Sequence, residues 1–188
     1  MSEVAIKTGS DKTVFGFWVY IMTDCVLFAS LFATFIVLRG TMSSDDIFSL
    51  PYVLAETLLL LTSSLTCGLG LLAAYQRNKP RVLALFALTF VLGAAFLGLE
   101  LAEFNKLIAE GNGPDTSAFF SSFFTLVGTH GLHITAGLIW MFFLMLRLWR
   151  KGFEPFTLKR IALLSLFWHF LDIVWIFIFS IVYMIGAL

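Results

Sequence analysis

Charge is scarce in this chain. Only 13% of its 188 residues are Asp, Glu, Lys or Arg, against about 25% in an ordinary soluble domain, so a solvated surface over most of the molecule is excluded. The formal net charge is +0, so whole-chain charge says nothing about nucleic acid or acidic partners. Cysteine is rarer still. Cys25 and Cys67 each lie inside an apolar stretch, where a lone thiol packs as a small hydrophobe; a disulfide framework or a thiolate metal site needs more cysteines at closer spacing. Internal repeats, inverted or parallel, are missing, which argues against the many secondary transporters built from two such halves. Alternating segments of about ten residues are missing too, which excludes a membrane β-barrel.

What fills the chain is hydrocarbon: 60% of residues are hydrophobic and 22 are phenylalanine. The apolar runs read as spans over residues 14–38, 51–75, 81–107, 117–148 and 158–186. Each reaches the ~20 residues that a ~30 Å hydrocarbon core requires. Because lipid offers backbone amides no partner, the spans are helices. The expected architecture is all-α, a polytopic membrane protein with a five-transmembrane-helix bundle at 14–188 behind a polar cytoplasmic segment at 1–13, and no soluble enzyme module. The first run is too long for a signal-peptide core and contains Asp24, so it reads as an uncleaved span. Pro51 and Pro80 sit where helices begin, the Gly111–Asp115 stretch reads as a turn, and Ser117 is placed to cap the fourth helix. Ten of the twelve Lys and Arg fall in the N-terminal segment and in the connections between helices two and three and between four and five. The positive-inside rule therefore puts the N-terminus in the cytoplasm and the C-terminus outside. Asp45, Asp46, Glu103, Glu110 and Asp115 fall on the outer side.

Against this background seven ionisable residues stand out: Asp24, Glu56, Glu100, His130, His133, His169 and Asp172 all lie within the spans. Helical rise places Asp24 roughly 15 Å into the first helix and His169 with Asp172 about 15 to 20 Å into the fifth, one common depth near the midplane. His130 and His133, like His169 and Asp172, are i and i+3 and project from one face. Glu56 and Glu100 belong to the outer third with Glu103 at the rim, where the outermost acids read as solvated. Three readings remain open: a polar network tying helices together, a path for protons, and a metal or haem site. Small residues recur at packing intervals, Ser64 with Gly68, Thr66 with Gly70, and Gly131 with Thr135, as close helix approach in lipid demands. Trp18, Trp149, Tyr52 and Tyr183 read as interfacial belts, and Phe119, Phe120, Phe123 and Phe124 as packing.

Two strings carry a family resemblance. Gly128-Thr-His130-Gly-Leu-His133 with Gly137, and Trp168-His169-Phe-Leu-Asp172-Ile-Val-Trp175 followed by Tyr183, resemble the signature helices of subunit III of haem–copper terminal oxidases. The Phe15–Cys25 stretch and Glu100-Leu-Ala-Glu103 are similar in order and spacing. The short, five-span form is most similar to the branch found in bacterial bo-type ubiquinol oxidases. The resemblance implies a complex that oxidises quinol, reduces dioxygen to water and pumps protons in a bacterial inner membrane. Haems and copper are then expected in subunit I and none in this chain, which has no catalytic, cofactor-binding or metal-binding residues of its own. Subunit I is the implied direct partner, with subunits II and IV in the same complex and phospholipid bound. By position Asp24 matches a mid-membrane carboxylate that is usually glutamate in longer members, whose two extra N-terminal helices are missing here. Subunit III of a cytochrome c oxidase and, from another class, a small membrane cytochrome ligating haem through His130 and His169 are the alternatives.

Overall fold

The computed structural model describes residues 2–39 and 50–184; Asp45 and Asp46 lie outside the described residues. Five helices follow one another: α1 (Ser2–Arg39), α2 (Leu50–Tyr75), α3 (Lys79–Ala109), α4 (Ala118–Lys151) and α5 (Pro155–Ile178), the last running on into a π-helical turn, Phe179–Met184. All five are long and apolar enough to cross a membrane. At 34 residues α4 is about 50 Å long, well beyond the hydrocarbon thickness, so it tilts or projects from the bilayer.

The connections follow their turn chemistry. Tyr75 is separated from Lys79 by three residues: Asn78 N–H donates to the Ala73 carbonyl at 3.1 Å and Arg77 N–H to Ala74 at 3.0 Å, the paired bonds of a Schellman stop. Asn78 then caps α3, with Pro80 in its first turn. The other end of α3 closes the same way through Asn112 to Leu107 and Gly111 to Ile108. Ser117 Oγ accepts from Phe120 N–H at 3.2 Å and starts α4, as expected, and Gly152 with φ 72° ends it. Lys79 Nζ donates to the Trp149 carbonyl at 2.9 Å, tying the α2–α3 turn to the negative end of the α4 dipole.

Helices α2, α3, α4 and α5 close into a ring, each packed on the next and α5 back on α2, while α1 lies against α4 and more lightly against α5. Two tryptophans one heptad apart on α5 fill the ring. Trp168 donates its indole N–H to Ser63 Oγ on α2 at 3.1 Å and rests its benzene edge on Gly93 of α3 and Gly137 of α4. Trp175 donates to Thr57 Oγ1 on α2 at 3.1 Å, meets Phe96 of α3 edge-on at 4.6 Å and lies 5.2 Å from the His130 ring of α4. Lipid tails are as apolar as leucine, so burial of grease alone does not join helices here; close packing around these two rings and their N–H bonds does.

Candidate functional site

The seven predicted residues separate into four places between helices. Across α1 and α4, Asp24 Oδ2 stands 3.5 Å from His133 Nε2. His133 Nδ1 donates to the Thr129 carbonyl at 2.7 Å, which leaves Nε2 facing the Asp24 carboxyl. Phe28 covers the imidazole at 5.3 Å. In the ring centre, fully buried His130 donates Nε2–H to the Leu171 carbonyl at 3.2 Å, between the Trp175 and Phe96 rings. Across α2 and α5, Ser64 Oγ lies 3.3 Å from His169 Nδ1, and Asp172 lies beside the same hydroxyl. His169 and Asp172 thus share Ser64 as a common partner. Asp24 is at their depth and on another side of the bundle.

The fourth place lies toward the end of the bundle opposite the α2–α3 and α4–α5 connections. Glu56 of α2 and Glu100 of α3 are 0% and 2% exposed, and Glu103 of α3 is 8% exposed. The expectation that the outermost acids are solvated is therefore wrong for Glu103. Tyr183, expected in an interfacial belt, is buried and donates its hydroxyl to Glu103 Oε2 at 3.3 Å; the π-helical turn brings it there. Tyr52 is half-buried, its hydroxyl donating to the Leu99 carbonyl at 2.9 Å. The hairpin register would have revealed this group: a short turn at residues 76–78 sets Thr66 opposite Thr89, their hydroxyls 2.8 Å apart, and the same register carries Glu56 to the level of Glu100.

The small-residue intervals prove to be where polar groups nest. A Cβ on Gly131 would lie 2.7 Å from Glu100 Oε1, and one on Gly68 3.4 Å from His169 Nε2. Gly70 receives the Phe86 ring. Ser63 and Thr57, which hold the two indoles, escaped the sequence reading because hydroxyl residues inside apolar runs read as ordinary span composition. Phe119, Phe120 and Phe123 are buried, Phe119 against Phe35 at 5.5 Å. Among the described residues no three His, Cys, Asp or Glu side chains converge to hold a metal ion.

A five-helix membrane bundle with paired polar groups between helices is a class of architecture, and the sequence relatives make it specific. Residues 4–187 match the family described as cytochrome c oxidase subunit III, and the chain belongs to that family, subunit III of the haem–copper oxidases. It is 59% identical over 181 residues to cytochrome bo(3) ubiquinol oxidase subunit 3 of Pseudomonas aeruginosa, covering 94% of this chain and 87% of that one. It is 54% identical to the protein of the same name from Pseudomonas putida, covering 95% and 88%. To cytochrome c oxidase subunit 3 of Bacillus sp. strain PS3 it is 44% identical, covering 97% and 89%.

Proposed function

We propose that this chain is the noncatalytic subunit III of a proton-pumping ubiquinol oxidase in a bacterial inner membrane. It binds subunit I directly, sits in one complex with subunits II and IV, steadies subunit I and supports its proton uptake, with the N-terminus cytoplasmic and the C-terminus periplasmic. The identity to two bo(3) ubiquinol oxidase subunits over nearly the whole chain carries this reading. The placement of the polar groups supports it: Asp24 meets His133 across α1 and α4, and Ser64 meets His169 across α2 and α5, as stays for a bundle do. Haems and copper are assigned to subunit I.

Purification of the native complex tests it. The chain is expected in stoichiometric amount with a haem-bearing subunit, and alone it is expected to show no Soret band; recovery as a coloured free chain or a free homo-oligomer would sink the proposal. Asp24→Asn and Asp172→Asn are expected to quicken turnover-dependent inactivation while leaving the haem spectrum of the complex unchanged. The Bacillus relative favours a second reading, subunit III of a cytochrome c oxidase. Oxidation of quinol against oxidation of cytochrome c by the intact complex decides between them.

Bound phospholipid has a place in this reading. At the cytoplasmic end of α4 and α5 a cavity of about 360 Å³ is lined by Trp140, Phe143, Arg147, Arg150, Lys151 and Arg160 among others, cations above an apolar wall, as an anionic headgroup with its chains requires. Arg147 is held by Glu154 at 3.0 Å. The double variant Arg150→Gln with Lys151→Gln is expected to retain less anionic lipid on purification, read by lipid mass spectrometry.

A further inference from the structure

His169 presents an anomaly that the bundle itself does not resolve. Its Nδ1 faces Ser64 Oγ at 3.3 Å, but Nε2 has no hydrogen-bond or ion-pair partner among the described residues. The imidazole is half-buried, midway along the continuous Pro155–Met184 helix, in the notch that Gly68 opens by carrying no Cβ. One turn further on, Asp172 Oδ1 is buried without a hydrogen-bond partner. Around this polar notch the surface is apolar and open: Leu61 and Leu65 on α2, Ile173 and Ile176 on α5 are all exposed, Leu65 by 64% and Ile173 by 54%.

The other imidazoles differ. His133 has both ring nitrogens directed at partners within the chain, and His130 is sealed in the ring centre. An imidazole nitrogen left without a partner on a half-buried side chain at this depth cannot meet water, headgroups or a hydrogen-bonding lipid tail, and ionisable or polar groups within spans face protein or a wet cavity for that reason. Small residues beside it, Ser64 and Gly68, allow another backbone to come close.

We infer that the α2–α5 face around His169 is a docking surface for a transmembrane helix of another subunit, one that brings a hydrogen-bonding side chain to His169 at mid-bilayer. This rests on the proposed function in supposing a multi-subunit complex, and adds which face of the bundle is covered. Leu61, Leu65, Ile173 and Ile176 form the apolar rim of that contact, and the partner's polar group completes the His169–Ser64–Asp172 group. The leucine-rich flank supplies area, and the single polar contact supplies register.

Photo-cross-linking in the purified complex tests the surface. Benzoylphenylalanine at Leu65 or Ile173 is expected to join this chain to a different subunit on irradiation; products with lipid alone, or with a second copy of this chain, would overturn the inference. His169→Phe, which keeps a flat ring and removes both nitrogens, is expected to speed loss of the chain from the complex in mild detergent at least tenfold. His169→Gln, which restores a donor and an acceptor, is expected to recover most of that. Equal retention of His169→Phe and wild type would also overturn it. Recovery of the chain with no haem-bearing partner counts against the proposed function, whereas recovery with that partner and lipid-facing Leu65 and Ile173 counts against the docking face alone.

Discussion

Gly93 and Gly98 share helix α3 and have opposite reasons to be small. A Cβ on Gly93 would press Trp168 Cζ2 at 2.8 Å, and nothing lies within 4 Å of one on Gly98. Trp168 cannot swing aside without releasing Ser63, so Gly93→Ala is expected to cost about 1–3 kcal/mol as an overpacked core does. Gly98→Ala removes backbone freedom from the unfolded chain and is expected to gain about 0.5–1 kcal/mol. Thermal denaturation of the purified complex, followed by retention of this subunit, should separate the two variants in sign. Arg77 makes the complementary case: it holds φ at 54° at the end of α2, a conformation that costs most side chains about 1 kcal/mol. The equivalent position after α3 is Gly111, φ 83°. Arg77→Gly is therefore expected to raise the denaturation midpoint, while lowering by one the positive charge of that connection.

At the scale of elements, α5 is the hub, and its two indole bonds set the depth at which α2 meets it. Hydrogen bonds between membrane helices average only about 0.6 kcal/mol in double-mutant cycles, so the bonds specify register more than they supply stability. A cycle on Trp168→Phe and Ser63→Ala is expected to return a coupling below about 2 kcal/mol, whereas Trp168→Ala, which empties the ring centre, is expected to cost about 3–5 kcal/mol. All five helices were legible in the sequence because each is a long apolar run, and some of their ends carry recognisable chemistry, Pro80, Gly111 and Ser117. The end of α5 was not: no residue in Phe179–Met184 announces a π-helical turn, and without it Tyr183 reads as an interfacial residue. The polar residues were legible as a set, since ionisable groups in apolar runs are conspicuous. Their partners were not, because depth along a helix says nothing of rotation about it. Asp24 and His169 share a level and face different neighbours, His133 in one case and Ser64 in the other.

For the whole molecule, orientation is the quantity that charge controls. Arg77, Lys79, Arg81, Arg147, Arg150, Lys151, Lys159 and Arg160 all lie at one end of the bundle, and we expect that end to face the cytoplasm. A reporter that is active only outside the cell, fused after Leu188, is expected to be active, and one fused before the first helix inactive; the reverse pattern would refute the assignment. Moving the charges of the α4–α5 connection to the opposite end is expected to lower the fraction correctly oriented, read by protease protection in membrane vesicles.

The manner in which α1 is attached bears on how the protein is made. It is the least enclosed span among the described residues and rests chiefly on α4, so the first of the five helices has its seat made by the fourth, which is synthesised after it. Until His133 arrives, Asp24 waits in the bilayer without its counterpart, and α2 with α3 can already form their hairpin beside it. We expect biogenesis to include an interval in which α1 is inserted but unmoored, with Asp24 exposed to recognition until α4 arrives.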